Sequence, residues 1–179
     1  MNSRERTVLA LLRRHRQAGI LVDTNLLLLF FVGIFDARYI SRYIRTTTYN
    51  EADFVVLAQV LQTFRRIIVT PHILTEVSNL SRDIDRGRRY EFFLLLESLL
   101  NAPSGQFVID ERHRPAKLIS TESEFPLLGL TDAAIIHRAA HRRNLVLTDD
   151  GPLGEYLERR GIDFIGFDDL RTSFAPNAK

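Results

Sequence analysis

Five carboxylates in this chain stand where a charge is costly. Asp23 closes the run Ile20-Leu21-Val22, Glu76 ends Thr70-Pro71-His72-Ile73-Leu74-Thr75-Glu76, Asp132 follows Leu130-Thr131, and Asp149 and Asp150 close Leu145-Val146-Leu147-Thr148. Each borders an apolar segment, and an ionised carboxylate there must be paired or must coordinate a cation. Two carboxylates about 4 Å apart repel by roughly 4 kcal/mol at an effective dielectric of 20. Three or four in one pocket therefore call for a metal, and all-oxygen ligation selects a hard ion, Mg²⁺ or Mn²⁺. Such an ion lowers the pKa of bound water and neutralises charge on a phosphoryl oxygen, which is the chemistry of phosphodiester hydrolysis. Taken singly, each acid has an ordinary reading as a turn former, a helix-start charge or a solvated helix residue. The set, in this order, is what points to a site.

The elements around these acids alternate between strand and helix. Residues 20–23, 67–69, 107–109, 145–147 and 162–167 read as short strands, each a compact apolar run bounded by turn signals. Helices are expected over residues 3–17 with Gly19 as the stop, 36–45, 51–65 behind an Asn50 cap, 71–86 behind a Thr70 cap, 88–101, 132–143 behind a Thr131 cap, and 152–160. Proline at the first helical position, as in Thr70-Pro71, is a strong start signal because its missing amide hydrogen would be unpaired anyway. After Asn25 the chain is apolar on all sides, as a buried helix or loop would be, and residues 111–117 read as a charged loop. This alternation predicts an α/β fold, a three-layer α/β/α sandwich with a mostly parallel central sheet. In such sheets the usable crevice lies beyond the carboxyl ends of the strands. Asp23 and the Asp149/Asp150 pair fall there, Asp132 is expected at the first helical position beside the buried stripe Ile135, Ile136 and Ala139, and Glu76 can lean into the same crevice from its helix.

Composition sets outer limits. A chain of 179 residues, 45% apolar, suits one domain with a sizeable core. We divide it into a basic helical extension over 1–19, a catalytic domain over 20–170 and a tail over 171–179. The absence of cysteine excludes disulfides and thiolate zinc sites and accords with a cytoplasmic location. The longest apolar run, residues 26–35, is well short of the roughly 20 needed for a membrane span, so no membrane association is expected, and no secretion signal is visible at the N-terminus. Of the 24 basic residues only Lys117 and Lys179 are lysines. Arginine forks suit phosphate, although a GC-rich genome would produce the same bias. Basic clusters fall at Arg82, Arg86, Arg88 and Arg89, at Arg112, His113, Arg114 and Lys117, and at Arg138, Arg142 and Arg143.

On the residues Val22-Asp23-Thr24-Asn25, Glu76, Asp132 and Leu147-Thr148-Asp149-Asp150 the chain resembles the PIN domain family over roughly residues 20–167. The interval from Asp132 to Asp150, the Thr-x-Asp ending and the closing stretch Arg159-Arg160-Gly161-Ile162-Asp163-Phe164-Ile165 are similar to that family's pattern. The resemblance implies a metal-dependent endoribonuclease in which Asp23, Glu76, Asp132 and Asp150 bind Mg²⁺ or Mn²⁺, with Asp149 able to reach the ion as well. Asn25 and Thr148 match its polar supporting positions and would orient the acids or a water. The same resemblance implies an RNA substrate and, in toxin-type members, an antitoxin protein and a homodimer. The chain has more helical material between Asp23 and Glu76 than compact toxin members, and a basic helix before the first strand.

Other readings are weaker. His137 and His141 have the i, i+4 spacing of zinc ligands, but no glutamate follows His137 and no third ligand accompanies them, so a solvated helix face is expected. A phosphoacceptor receiver domain needs a lysine after its last strand, which is missing here. No Gly-rich phosphate loop is present either. The rival that survives is a catalytically silent RNA-binding or protein-interaction module on the same fold.

Overall fold

The computed structural model of the chain describes residues 3–102 and 108–174. It is an α/β fold built on five parallel strands, β1 (Ile20–Val22), β2 (Arg66–Val69), β3 (Val108–Glu111), β4 (Leu145–Thr148) and β5 (Phe164–Gly166). Their order in the sheet is β3-β2-β1-β4-β5. All four pairings are parallel, and Ile20, Leu21 and Val22 lie opposite Leu145, Val146 and Leu147. The two central strands β1 and β4 are buried along their whole length, which is why they read as unbroken apolar runs rather than alternating ones.

The helices among the described residues are α1 (Ser3–His15), α2 (Thr24–Asp36), α3 (Glu51–Leu61), α4 (Pro71–Leu80), α5 (Arg86–Leu100), α6 (Ala116–Ile119), α7 (Phe125–Arg142), α8 (Gly151–Arg159) and α9 (Phe167–Phe174). The arrangement is consistent with a three-layer sandwich. Helix α2 is the apolar run after Asn25, and Leu26 to Val32 are each at most 2% exposed. It packs against α3, α4 and α5, so an all-round apolar helix is what this position requires. Helix α1 is docked on α9 and on β4 and β5, with Val8 and Leu12 buried. Gly19 turns the chain from α1 into β1 at φ 89°, and a Cβ there would sit 2.9 Å from the Arg66 carbonyl oxygen. Only glycine meets both demands.

Several boundaries differ from expectation. Residues 36–45 do not form a regular helix. Asp36 is extended (φ −164°), its carboxylate accepts from the Arg38 amide, and only a 3-10 turn at Ala37–Tyr39 follows. Beyond it the Thr46 hydroxyl donates to the Ile40 carbonyl and the Tyr43 hydroxyl to the Leu80 carbonyl, so side chains take the acceptors and the tertiary contacts that a helix would have used. The Asn50 cap holds, with a full capping box through Asp53, but α3 stops at Leu61. The Thr70 cap holds too, its hydroxyl accepting from the Ile73 amide, and α4 ends in a 3-10 turn at Ser81–Asp83.

Helix α7 begins at Phe125 and is broken at Gly129, whose φ of 80° and ψ of −173° are open to glycine alone. The helix resumes at Leu130, so Thr131 is a helical residue rather than the cap and Asp132 is not the first residue of its helix. Phe107, expected in the third strand, lies outside the described residues, and that strand instead runs on to Glu111. Residues expected as a loop after it include α6. The last strand is shorter than expected, and residues 171–174, expected in a tail, belong to α9; residues 175–179 lie outside the described set. No helix among the described residues is long and apolar enough to cross a membrane.

Candidate functional site

The strand order reverses between β1 and β4. From β1 the chain builds outward through β2 and β3 on one side, then returns to β1's other edge with β4 and continues to β5. In open parallel sheets this switch point, at the carboxyl ends of the strands, opens a crevice for ligands. Asp23 follows β1 directly, and Asp149 and Asp150 follow β4. The Asp23 amide donates to the Leu147 carbonyl (3.0 Å), which continues the β1–β4 ladder one step into the crevice.

Each acid is held by local structure. Asp23 caps α2, one carboxylate oxygen accepting from the Leu26 amide at 2.9 Å. The other accepts from the Thr148 hydroxyl (2.5 Å) and from the Asp149 amide (3.0 Å). Thr148 in turn accepts from the Asp150 amide at 3.0 Å, so one buried hydroxyl ties the ends of β1 and β4 together. Asp150 caps α8 through the Leu153 amide (2.7 Å). Asp132 sits in the first turn after the Gly129 break and is half-buried. Glu76, exposed on α4, accepts from the Thr24 hydroxyl at 2.9 Å, which draws it toward the head of α2. The helix N-termini of α2 and α8 both face the crevice and partly offset its negative charge.

Electrostatics shows how close these groups lie. Burial pushes the Asp23 carboxyl up to about 7, and the Asp149 charge adds to it against the donors from Thr148, Leu26 and Asp149. Burial also pushes Asp132 up to about 6, with Asp150 and Glu76 repelling its charge. Asp149 is raised by burial and by Asp150, while hydrogen bonds with Asp23 and Asn25 pull the other way. None of the five acids makes an ion pair with an arginine, lysine or histidine among the described residues.

The expected residues therefore come together as a pair, Asp23 with Asp149, and a group of three, Asp132 with Asp150 and Glu76, linked through the adjacent Asp149 and Asp150. Among the described residues, no three histidines or carboxylates converge into a ligand set that could hold an ion as they stand. The donor chemistry does fit a hard divalent ion. The groups are all oxygens, burial with added repulsion between neighbours raises three of them above the usual carboxylate range, and a cation would offset both. The exposed Glu76 and Asp149, each held by a hydroxyl, are the members best placed to swing inward.

Two residues outside the expected set join the site. Thr24 holds Glu76, and the buried Tyr49 donates its hydroxyl to Asp149. Thr24 lies inside the Asp23-Thr24-Asn25 motif, so its nearness was readable although its partner was not. Tyr49 carries no sequence signal, because it comes from the irregular stretch before α3. Tyr49, Phe167, Asp149 and Asp150 line a cavity of about 400 Å³ beside the acids.

The solvated face expected for the pair His137 and His141 holds for His141, which is exposed, and not for His137. His137 is buried, pairs through Nδ1 with Glu122, and stacks on His141 at 4.1 Å between ring centres. They form part of a structural contact between α7 and the segment before it, away from the acids.

Comparison of the chain with family models, with curated proteins and with solved structures finds no match.

Proposed function

We propose that this protein is a Mg²⁺- or Mn²⁺-dependent endoribonuclease of the PIN type, acting on RNA phosphodiester bonds in the cytoplasm. The observation that carries this reading is the isolation of the acids. Five carboxylates stand around the switch point of a parallel sheet without one cationic partner among the described residues, in a chain that holds 22 arginines. Carboxylates left unpaired at a buried cleft are poised for a cation and for chemistry.

In this reading Asp23, Asp132 and Asp150 would hold the ion, and Glu76 and Asp149 would add oxygens to its shell. When bound, the ion polarises the phosphoryl group and lowers the pKa of the attacking water. Thr148 keeps Asp23 aligned with the end of β4, Thr24 keeps Glu76 in reach, and Asn25 and Tyr49 orient Asp149. The water oxygen forms a new bond to phosphorus, one P–O ester bond breaks, and a neighbouring carboxylate accepts the water's proton while the leaving oxygen takes one from solvent. The test is cleavage of structured and single-stranded RNA with Mg²⁺ or Mn²⁺, comparing wild type with Asp23→Asn and Asp132→Asn. Loss of cleavage in both variants is expected; equal cleavage by all three would refute the proposed roles.

A further inference from the structure

The two flanks of the acidic centre differ in charge, and the difference gives the substrate a direction. On the β5 side the 400 Å³ cavity is lined by Glu155, Glu158 and Asp168. Its one arginine, Arg171, is taken up by Asp53 (2.8 Å) and Asp168 (2.7 Å). A polyanion meets repulsion there.

On the β3 side the charge reverses. His72 lies one helical turn before Glu76 on α4, and His113, which follows β3, is near enough to help burial lower the His72 pKa. Arg112 and Arg114 leave the carboxyl end of β3, and Arg138 and Arg142 lie one turn apart on α7. Two basic clusters that are distant in sequence become one surface, since Arg112, Arg142 and Arg114 all press on the Arg138 guanidinium. Of the two acids at this end of β3, Asp110 already serves Arg112 at 2.6 Å and Arg66 at 3.9 Å, and Glu111 stands exposed beside Arg112. Arg138 Nε is buried without a hydrogen-bond partner among the described residues, and neither Arg114 nor Arg142 makes an ion pair there. The third cluster behaves otherwise. Arg88 pairs with Asp36 and lies over Phe35 and Tyr39, and Arg89 donates to the Ile84 carbonyl.

Resting on the nuclease reading, we propose that Arg114, Arg138 and Arg142 form a phosphate-binding rail along which a single-stranded polynucleotide enters the acidic cleft from the β3 side. Like-charged groups crowded together with unused donors are unfavourable alone and become favourable against a chain of phosphates.

The test is binding without cleavage. A labelled 20-nucleotide RNA and a DNA of the same sequence are titrated with full-length protein in EDTA over a range of KCl, using fluorescence anisotropy. The variant Arg114→Gln/Arg142→Gln is compared with the equal-charge control Arg82→Gln/Arg86→Gln, and thermal melting checks that both fold. The expected result is an affinity loss of about 10-fold or more in the first variant, with the salt slope lowered by about 1.4, roughly 0.7 for each phosphate no longer neutralised. The control should stay within about twofold of wild type, because it leaves every phosphate partner of the rail in place. Loss in either the RNA or the DNA arm supports the rail, and the difference between the arms reads the sugar. Equal losses in variant and control would overturn it. So would arginine-dependent capture of poly-glutamate without nucleic-acid binding, which would make this face a docking surface for an acidic protein. Binding that depends on Arg114 and Arg142 in a protein that never cleaves would leave the rail standing and remove the nuclease; cleavage with no such dependence would do the reverse.

Discussion

Acids at the two edges of the same sheet are treated in opposite ways. At the amino edge Asp163, just before β5, accepts from His15 Nε2 (2.7 Å) and Arg14 (3.0 Å), and these partners hold its carboxyl below the usual range despite burial. Glu124, buried before α7, is lowered in the same way by Arg160, and on another flank Arg88 lowers Asp36. At the carboxyl edge Asp23, Asp132 and Asp149 are raised and have no cationic partner among the described residues. Arginine is abundant enough to have paired every acid. Asp163, Glu124 and Asp36, away from the crevice, are paired with cations, whereas Asp23 and Asp150 at the crevice serve the fold only as helix caps, and their uncompensated charge is a cost that a ligand can remove.

Asp132 puts that contrast at greatest risk. Asp132→Asn should lower metal-dependent cleavage about 10³-fold and yet raise the melting temperature in EDTA at pH 7.5 by about 3 °C, because it removes a repelled charge. A melting temperature that falls would put Asp132 with the structural acids.

The pH dependence of stability follows from the same shifts. Asp23 and Asp132 bind protons more tightly in the folded chain, at about 7 and about 6, than an ordinary aspartate does at 3.8. Their favourable contribution is complete below about pH 4 and is lost as pH rises through 6 to 7. The lowered acids Asp163, Asp36 and Glu124 act the other way, losing their contribution only as pH falls through their depressed values. In EDTA the melting temperature should therefore drop by roughly 5 °C between pH 4.5 and 7.5, and saturating Mn²⁺ should abolish the drop. A stability that climbs over this interval would contradict the bare-acid picture.

Gly129 offers a handle on the same contrast from the backbone. Gly129→Ala forces a side chain into φ 80° and should cost about 1–3 kcal/mol in urea unfolding, while moving Asp132 and lowering cleavage. The smallest effect belongs to the amino edge. Asp163→Asn should cost about 1 kcal/mol by weakening its hydrogen bonds with His15 and Arg14 and leave cleavage unchanged.

Much of this was legible from particular residues. The runs at Ile20, Ile67 and Leu145 announced buried parallel strands, and the Thr70-Pro71 and Asn50 starts were where the helices begin. Asp23 and Asp149/Asp150 could be placed at one sheet edge because each follows a strand. The stretch 36–45 misled because its helical spacing competes with side chains that bond elsewhere, such as Tyr43 to Leu80. The Thr131 cap signal misled because α7 begins at Phe125 and the backbone conformation of Gly129 sets where Asp132 stands. The role of Tyr49 and the nearness of the Arg112/Arg114 and Arg138/Arg142 clusters were invisible, since both depend on how residues far apart in sequence are brought together. The buried pairing of His137 with Glu122 was hidden for the same reason.

If the bare acids share a divalent ion, metal-free protein must take it up through them. Calorimetric titration of Mn²⁺ at pH 7.5 into wild type and into Asp132→Asn/Asp150→Asn reads this without any substrate. Saturable binding with proton release in the wild type, weakened at least about 100-fold in the double variant, is the predicted result. Absence of saturable binding, or equal affinity in both proteins, would contradict the account.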